Sequence, residues 1–164
     1  MIFKIKEATF NDVNILNEII KNSFLNVAKK FNLTSENTPK HPSNCKIEWI
    51  FSALEKGIHY YLLEIEKKNI PIGCCALEIV NSNIGYLERL AVLPSFRKNG
   101  YGTALVKHII NRAKKINIKR IEIGIIAEDV KLRKWYENLG FSIKSKVVFD
   151  HLPFEVIFMI LDLN

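Results

Sequence analysis

The sequence predicts a single α/β domain of the α+β kind, with helices packed against a mixed sheet. Its 164 residues, 48% hydrophobic and 25% charged, are typical of one globular domain with one core. Before and after the middle of the chain, segments in which apolar and polar residues alternate are separated by short turns, as in β-hairpins. At the centre, residues 84–127 predict a strand, a helix and a second strand, the right-handed unit that pairs strands in parallel. We find no domain boundary within residues 1–164.

The first third of the chain predicts one strand and two helices. Apolar and charged residues alternate over residues 2–8, which favours a strand. Residues 9–11 supply a turn and a helix cap, and helical spacing follows at Val13, Leu16, Ile19, Ile20, Phe24 and Val27. The pattern disappears over residues 29–44, and a loop of this length is usually functional or mobile. Residues 45–56 predict a second helix that ends at Gly57.

The remainder predicts six strands and two helices. The strands are residues 59–67, 70–80, 84–92, 119–127, 141–149 and 154–162. The helices are residues 100–116 and 129–139, and Gly140 closes the second. The strand 119–127 is rich in isoleucine, which is typical of a strand buried on both faces in a parallel pairing.

The net charge of +7 is concentrated in one segment. Eight cations and no acid fall between Arg97 and Arg120, while the rest of the chain sums to −1. A patch this local indicates an anionic ligand rather than a coat for nucleic acid. Nucleic-acid binding would rest on this stretch alone, which lacks interleaved aromatic residues and any reader motif, so we expect no such partner. For residues 107–120 we favour a solvated helix face.

Other features of the composition favour a cytoplasmic protein without a membrane partner. No apolar run approaches the roughly 18–20 residues of a membrane helix, and the N-terminus lacks the apolar centre of a signal peptide. Cys45, Cys74 and Cys75 are odd in number and form no CxxC pair, which predicts reduced thiols. The histidines show no metal-ligand spacing, and we expect no metal.

Residues 92–103, between a predicted strand and a predicted helix, are the most informative about function. Gly100 and Gly102 stand at the helix start, where glycines let backbone N–H groups approach an anion closely. The helix dipole adds about half a positive charge there, and Arg97 and Lys98 add two full charges. Together these features predict a cradle for a pyrophosphate.

Two other phosphate-binding loops are disfavoured. A Walker loop requires Gly-Lys-Ser/Thr, which is absent. A dinucleotide loop needs a small residue where this chain has Leu105, and Glu122 lies mid-strand, where it is unsuited to contact a ribose. The remaining alternative is that Gly100 and Gly102 only shape a strand-to-helix turn.

Two motifs in order carry a resemblance to a family. The pattern Val-x-Pro-x-x-Arg/Gln-x-x-Gly-x-Gly/Ala is matched at Val92, Pro94, Arg97, Gly100 and Gly102. Residues 136–141 match a following Tyr-x-x-x-Gly-Phe segment. The chain therefore resembles the GNAT superfamily of acyl-CoA-dependent N-acetyltransferases over residues 86–141. The resemblance implies a mixed, mostly antiparallel central sheet flanked by about four helices.

The resemblance also implies acetyl-CoA as the acyl donor. Backbone N–H groups would hold its pyrophosphate at Lys98, Asn99, Gly100, Tyr101, Gly102 and Thr103. The pantetheine arm would lie like an added strand along Leu90, Ala91 and Val92, with a backbone N–H of Leu90 or Ala91 stabilising the oxyanion. Asp129 stands where the family commonly has an asparagine that contacts the cofactor.

Tyr136 and Glu88 are the candidate catalytic residues. The resemblance places Tyr136 near the thioester sulfur, where a tyrosine with a pKa of about 10 can protonate the leaving thiolate; its alternative role is a core aromatic residue. Glu88 would accept the proton of the amine, directly or through water. Simple alternation puts Glu88 on one strand face with Leu90 and Val92. Its alternative role is an ion pair with a cation such as Arg89.

The predicted activity is transfer of an acetyl group from acetyl-CoA to a primary amine by direct attack on the thioester. Polyamines, amino acids, aminoglycosides and protein amines all remain open as acceptors, and the loops that carry His41 and His151 would border their site. The alternative function is a non-catalytic acyl-CoA-binding regulatory module, which needs the cradle but neither Tyr136 nor Glu88. A monomer and a homodimer are both compatible with the sequence.

Overall fold

The computed structural model describes residues 2–164, which form seven strands and four α-helices. The strands are β1 (Phe3–Glu7), β2 (His59–Ile65), β3 (Ile70–Ile79), β4 (Ile84–Val92), β5 (Arg120–Ile126), β6 (Ser142–Val148) and β7 (Glu155–Asp162). The helices are α1 (Val13–Lys30), α2 (Ile47–Glu55), α3 (Tyr101–Lys115) and α4 (Val130–Asn138). Every predicted element is present. The predicted loop at 29–44 starts slightly later and contains a short 3-10 turn, Pro42–Asn44.

The strands form one mixed sheet in the order β1-β2-β3-β4-β5-β7-β6. Neighbouring strands are antiparallel except β4 and β5, which are parallel as the strand-helix-strand unit predicted. The parallel register covers three pairs, from Ile84 with Arg120 to Tyr86 with Glu122. Beyond Tyr86 the described parts of β4 and β5 separate toward their carboxyl ends. The result is a gap in the middle of the sheet with an unpaired edge of β4 along one side.

Each face of the sheet carries its own apolar cluster. On one face, α3 and α4 pack through residues such as Leu105, Ile109 and Tyr136. On the other face, α1 and α2 pack through residues such as Leu16, Ile20 and Ile50. The sheet lies between these two pairs of helices. Each side chain of β4 therefore faces either α3 and α4 or α1 and α2.

The 3-10 turn that leads into α1, Phe10–Asp12, shows how local sequence fixes an element. The backbone N–H of Thr9 donates to Oδ2 of Asp12 (2.8 Å), while the Thr9 hydroxyl accepts from the N–H of Asn11 (3.3 Å). These hydrogen bonds satisfy donors that the first helical turn leaves free. The helix then buries Leu16, Ile19 and Ile20, the positions that the apolar spacing indicated.

The basic segment is solvated along α3, as its interpretation as a helix face predicted. Lys107, Lys114 and Lys115 are exposed, and Nε of Arg120 donates to Oδ1 of Asp162 (2.7 Å). Within residues 2–164, none of the helices combines the length and the apolar character that crossing a lipid bilayer requires.

The three cysteines are free and buried, which agrees with the expected reduced thiols. Burial raises the pKa of Cys45, Cys74 and Cys75, because an apolar surrounding disfavours the thiolate. These thiols therefore act as small apolar core residues.

Candidate active site

The predicted cradle lies at the end of β4, where the chain turns into α3. A 3-10 turn, Pro94–Phe96, is followed by Lys98 and Gly100, both with left-handed backbone angles (φ +63° and +82°). The side chain of Asn99 holds this turn, since its Nδ2 donates to the carbonyl oxygens of Phe96 (3.1 Å) and Arg97 (3.0 Å). These two hydrogen bonds stabilise the shape of the turn.

The mouth of α3 is open and its first N–H groups are free of a side-chain cap. Gly100 occupies the N-cap position and makes no side-chain hydrogen bond there. Apart from Gly100 itself and its two chain neighbours, no heavy atom among residues 2–164 lies within 4 Å of the place where a Cβ of Gly100 would stand. Backbone donors in an open, glycine-lined turn at the positive end of a helix dipole fit an anionic phosphate group.

Gly102 also allows close packing between α3 and α4. A Cβ at Gly102 would lie 3.3 Å from Cζ2 of Trp135, so the missing side chain lets the first turn of α3 contact α4. The large side chain of Trp135 is therefore accommodated by Gly102. The ring of Trp135 also contacts that of Tyr136 at an angle of 74°.

The side chain of Arg97 departs from its predicted use. We expected its charge to face the pyrophosphate, together with that of Lys98. Its guanidinium instead donates from Nε to the carbonyl oxygen of Val92 (3.0 Å) and from Nη2 to that of Ser23 (2.6 Å). These bonds tie α1 to the end of β4, so Arg97 holds the frame of the site, while Lys98 is exposed at the mouth.

Replacing Arg97 with methionine is expected to lower the free energy of unfolding by about 1–3 kcal/mol, because two charge-assisted hydrogen bonds to backbone carbonyls are lost. Lys98→Met is the matched control, since it removes the neighbouring cation from an exposed side chain and is expected to change stability by less than about 0.5 kcal/mol. Urea denaturation of both variants measures the difference. Equal stabilities would show that the link between α1 and β4 contributes nothing.

β4 contains an irregularity at Arg89 that changes which way the following side chains point. The register with β3 passes from Ala76 opposite Glu88 to Cys74 opposite Ala91, so β4 carries one extra residue. Arg89 has φ +52°, a left-handed conformation that a β-bulge accommodates.

The expectation that Glu88 shares a strand face with Leu90 and Val92 is therefore wrong. Glu88 pairs with Ala76, which belongs to the cluster under α1 and α2. Leu90 and Val92 pack against the cluster under α3 and α4. The bulge at Arg89 inverts the alternation, because one extra residue moves every later side chain to the opposite face.

Glu88 lies beside a second carboxyl group, that of Glu78 on β3. Burial, together with the hydrogen bond and the negative charge of Glu78, raises the pKa of Glu88 to about 8, although the charge of Arg89 acts in the opposite direction. Near neutral pH, Glu88 therefore exchanges its proton readily, as a general base requires. The sequence did not indicate Glu78, because the two residues lie on different strands and meet diagonally.

Tyr136 is buried in the cluster under α3 and α4. Its ring makes edge contacts with Trp135 and Phe141, whose ring centroids lie 4.9 and 5.3 Å away. Burial raises the pKa of Tyr136, with a further contribution from the nearby Cys75 thiol. The phenol therefore stays protonated at neutral pH.

The carboxylate of Asp129 already has two partners. Oδ1 accepts from the backbone N–H of Leu132 (3.2 Å), which caps α4. Nζ of Lys30, at the end of α1, lies 3.9 Å from the same oxygen. Asp129 thus connects helices on opposite faces of the sheet, and its predicted contact with the cofactor stays a prediction.

His41 and His151, the two loop histidines, have different surroundings. His41 is buried, and its Nδ1 lies 2.7 Å from Oγ of Ser43 and accepts from the Ser43 backbone N–H (3.2 Å). Burial and the charge of Arg89 lower the pKa of His41 to about 4, so the ring is neutral at pH 7. His151 is exposed beside Phe149 in the turn between β6 and β7.

The structure gives Glu122 a partner within the protein, which argues against a role for this residue in binding a dinucleotide. This carboxylate is buried in β5 and accepts a hydrogen bond from Nζ of Lys144 on β6 (2.7 Å). It neutralises a cation within the sheet, as its mid-strand position indicated.

Comparison with known proteins identifies the family. The model of the acetyltransferase (GNAT) family matches residues 22–141, well over half of the chain. The chain belongs to the GNAT acetyltransferase family. The matched range contains both motifs, the gap between β4 and β5, Glu88 and Tyr136.

Curated GNAT relatives resemble this chain over part of their length. An amino-acid acetyltransferase from Pseudomonas syringae pv. syringae is 30% identical over 117 residues, which are 71% of this chain and 25% of that protein. An uncharacterized N-acetyltransferase from Methanocaldococcus jannaschii is 26% identical over 104 residues, or 61% of this chain and 45% of that protein. The chain thus spans a quarter to a half of these relatives.

Solved structures confirm the predicted fold. The ribosomal-protein-S18-alanine N-acetyltransferase from Escherichia coli superposes with a TM-score of 0.77 at 17% identity, covering 99% of this chain and 94% of that one. A putative acetyltransferase from Salmonella typhimurium, solved with acetyl-CoA, gives a TM-score of 0.73 at 18% identity and coverages of 100% and 95%. Likeness at this identity concerns the fold of the GNAT domain.

Proposed function

We propose that this GNAT domain transfers an acetyl group from acetyl-CoA to an amine. The observation that carries the proposal is that β4 leaves β5 after three residue pairs, beside the open N-terminus of α3. A phosphate site and a slot through the sheet are thereby adjacent. The relative named amino-acid acetyltransferase and the neighbour solved with acetyl-CoA support this activity.

The backbone is proposed to hold the donor. N–H groups of residues 98–103 bind the pyrophosphate at the mouth of α3, where Gly100 leaves room for it. The edge of β4 along residues 90–92, which faces the gap, offers main-chain groups to the pantetheine arm. A backbone N–H of Leu90 or Ala91 stabilises negative charge that develops on the carbonyl oxygen.

Tyr136 is proposed to protonate the departing thiolate. Acetyl-CoA supplies a thioester, from which an amine displaces the thiol to give an amide. Burial raises the pKa of Tyr136, which keeps its proton available but makes a tyrosinate costly. The same surroundings raise the pKa of the neighbouring Cys75 thiol well above its usual value. A thiolate formed in such a place is a stronger base than in water, which offsets the raised pKa of Tyr136.

Glu88 is proposed to accept the proton that the amine loses, directly or through water. It lies on the sheet face of α1 and α2, opposite the face of Tyr136. This arrangement lets the amine approach the gap from one face while the leaving thiol meets Tyr136 on the other. Because the two side chains lie on opposite faces, Tyr136 does not transfer its proton directly to Glu88.

The proposed base predicts the pH dependence of the reaction. Below its pKa of about 8, Glu88 is mostly protonated, so kcat/KM is expected to fall about tenfold for each unit of pH. Above that pH, the contribution of Glu88 to kcat/KM becomes constant, so the profile has an acidic limb that ends near pH 8. Glu88→Gln is expected to remove the limb and lower kcat/KM by about tenfold or more. Steady-state rates from pH 6 to 10 measure the profile, and ionisation of the amine itself gives a separate rise nearer pH 10.

Glu78→Gln is the matched variant for this prediction. It removes the neighbouring carboxyl that raises the pKa of Glu88 but leaves Glu88 in place. The limb is expected to shift to lower pH and to persist. An unshifted limb in Glu78→Gln, or an unchanged profile in Glu88→Gln, would assign the proton transfer to another group.

The proposed activity is tested by binding and transfer together. Calorimetry with acetyl-CoA is expected to show saturable binding, and thiol release with a panel of amines is expected to accompany an acetylated product found by mass spectrometry. Flat titrations would overturn the proposal. Binding without transfer to any amine would instead favour the acyl-CoA-binding regulatory module.

A further inference from the structure

The bulge in β4 places a cation next to the proposed base. Arg89 adopts φ +52° directly after Glu88, and its carbonyl oxygen lies 3.7 Å from Sγ of Cys74 on the face of α1 and α2. A regular strand would send the side chains of consecutive residues to opposite faces. The left-handed conformation at Arg89 breaks that rule and allows both charged groups to act on one side of the sheet.

The charge of Arg89 acts on groups of this same face. It perturbs the pKa of five groups, which are His41, Cys45, Tyr60, Cys74 and Glu88. The apolar cluster on the face of α1 and α2 contains Cys45, Tyr60 and Cys74. The half-buried Arg89 thus acts on the sheet face that α1 and α2 cover, near the loop that carries His41.

Near neutral pH, the described residues of this face leave Arg89 without a counter-ion. None of the ion pairs among residues 2–164 includes it. The pKa of about 4 for His41 and of about 12 for Tyr60 leave both side chains uncharged at pH 7. Glu88, with a pKa of about 8, is mostly protonated there. A partly buried guanidinium without a counter-ion is costly, and a bound anion would relieve that cost.

We infer that the acceptor is a small amino acid-like molecule whose carboxylate pairs with Arg89 while its amine faces Glu88. The inference rests on the proposed acetyl transfer and specifies its acceptor. A guanidinium binds a carboxylate through two parallel N–H donors, which also fixes the position of the attached amine. Polyamines and aminoglycosides lack a carboxylate and carry several positive charges, so Arg89 repels them.

The test compares acceptors with and without the carboxylate, with rates referred to the concentration of free amine, because the carboxylate raises the pKa of the neighbouring ammonium group. Each amino acid of a panel is assayed beside its carboxamide, which keeps the amine and loses the negative charge. For the unmodified protein, kcat/KM is expected to be at least about tenfold higher for the acid, mainly through a lower KM. Arg89→Gln is expected to bring the ratio of acid to amide near one, with the KM for acetyl-CoA unchanged. Arg89→Lys is expected to keep part of the preference, as a point charge without the paired donors.

The controls separate this inference from the proposed activity. Arg112→Gln, on α3 and on the opposite side of the sheet, is expected to leave the ratio of acid to amide unchanged. Equal use of acid and amide by the unmodified protein overturns the carboxylate site and leaves the proposed acetyl transfer intact. A preference for the acid that survives in Arg89→Gln has the same consequence. Failure of every amine, or of acetyl-CoA binding, overturns the proposed activity itself. The ratio in the unmodified protein decides the matter even where a variant folds poorly.

Discussion

Gly100→Val is expected to weaken binding of acetyl-CoA by about a hundredfold. Gly100 has φ +82°, a conformation that costs a residue with a side chain of order 1–3 kcal/mol and is worst for a β-branched one. The turn would relax to a negative φ, and the N–H groups of the first turn of α3 would no longer converge on one point. Calorimetric titration of the variant with acetyl-CoA measures the loss.

Gly57→Val is the matched control for strain. Gly57 has φ +84°, and among residues 2–164 no heavy atom lies within 4 Å of a Cβ there, as at Gly100. The two substitutions therefore carry the same backbone penalty, but Gly57 lies in the turn after α2, away from the cradle. Gly57→Val is expected to lose similar stability and to keep its affinity for acetyl-CoA. Affinity retained in Gly100→Val would remove the cradle from the proposal.

Tyr136→Phe is expected to lower kcat by about a hundredfold or more, since a positioned general acid contributes roughly 10²–10⁴ to a rate. The Kd for acetyl-CoA is expected to stay within about twofold, because the ring contacts with Trp135 and Phe141 remain when only the hydroxyl is lost. Single-turnover measurement of thiol release separates the chemical step from release of product.

Tyr61→Phe is the control for loss of a buried phenol. Tyr61 lies in the same apolar cluster, with its ring 4.6 Å from that of His108, and we assign it no part in the reaction. Its kcat is expected to match that of the unmodified protein. An unchanged kcat in Tyr136→Phe would show that water protonates the thiolate and that Tyr136 is a core residue.

The elements of the fold could be predicted from the sequence because each has a local physical cause. Period-two alternation marked the strands, and helical spacing identified Leu16, Ile19 and Ile20 as the buried side of α1. The glycine turn before α3 was predictable for the same reason, since glycines, a strand end and a helix start all lie within residues 92–103. The catalytic roles of Tyr136 and Glu88 stay predictions.

The arrangement around the proposed acceptor depended on contacts between distant segments. The carbonyl group of Ser23 receives Arg97 across the sheet, which moved that charge away from the predicted pyrophosphate site. Glu78 raises the pKa of Glu88 from a neighbouring strand. Neither partner is near in sequence, and no spacing rule connects them.

The sequence by itself determined the order of strands and helices, the glycine turn at α3 and the family. Only the tertiary structure decided on which sheet face Glu88 lies and that Arg89, next to it, forms no ion pair among residues 2–164. The physical reason is the bulge in β4. A strand shows its alternation in its own residues, but an extra residue is visible only against the partner strand, and it inverts every side chain that follows.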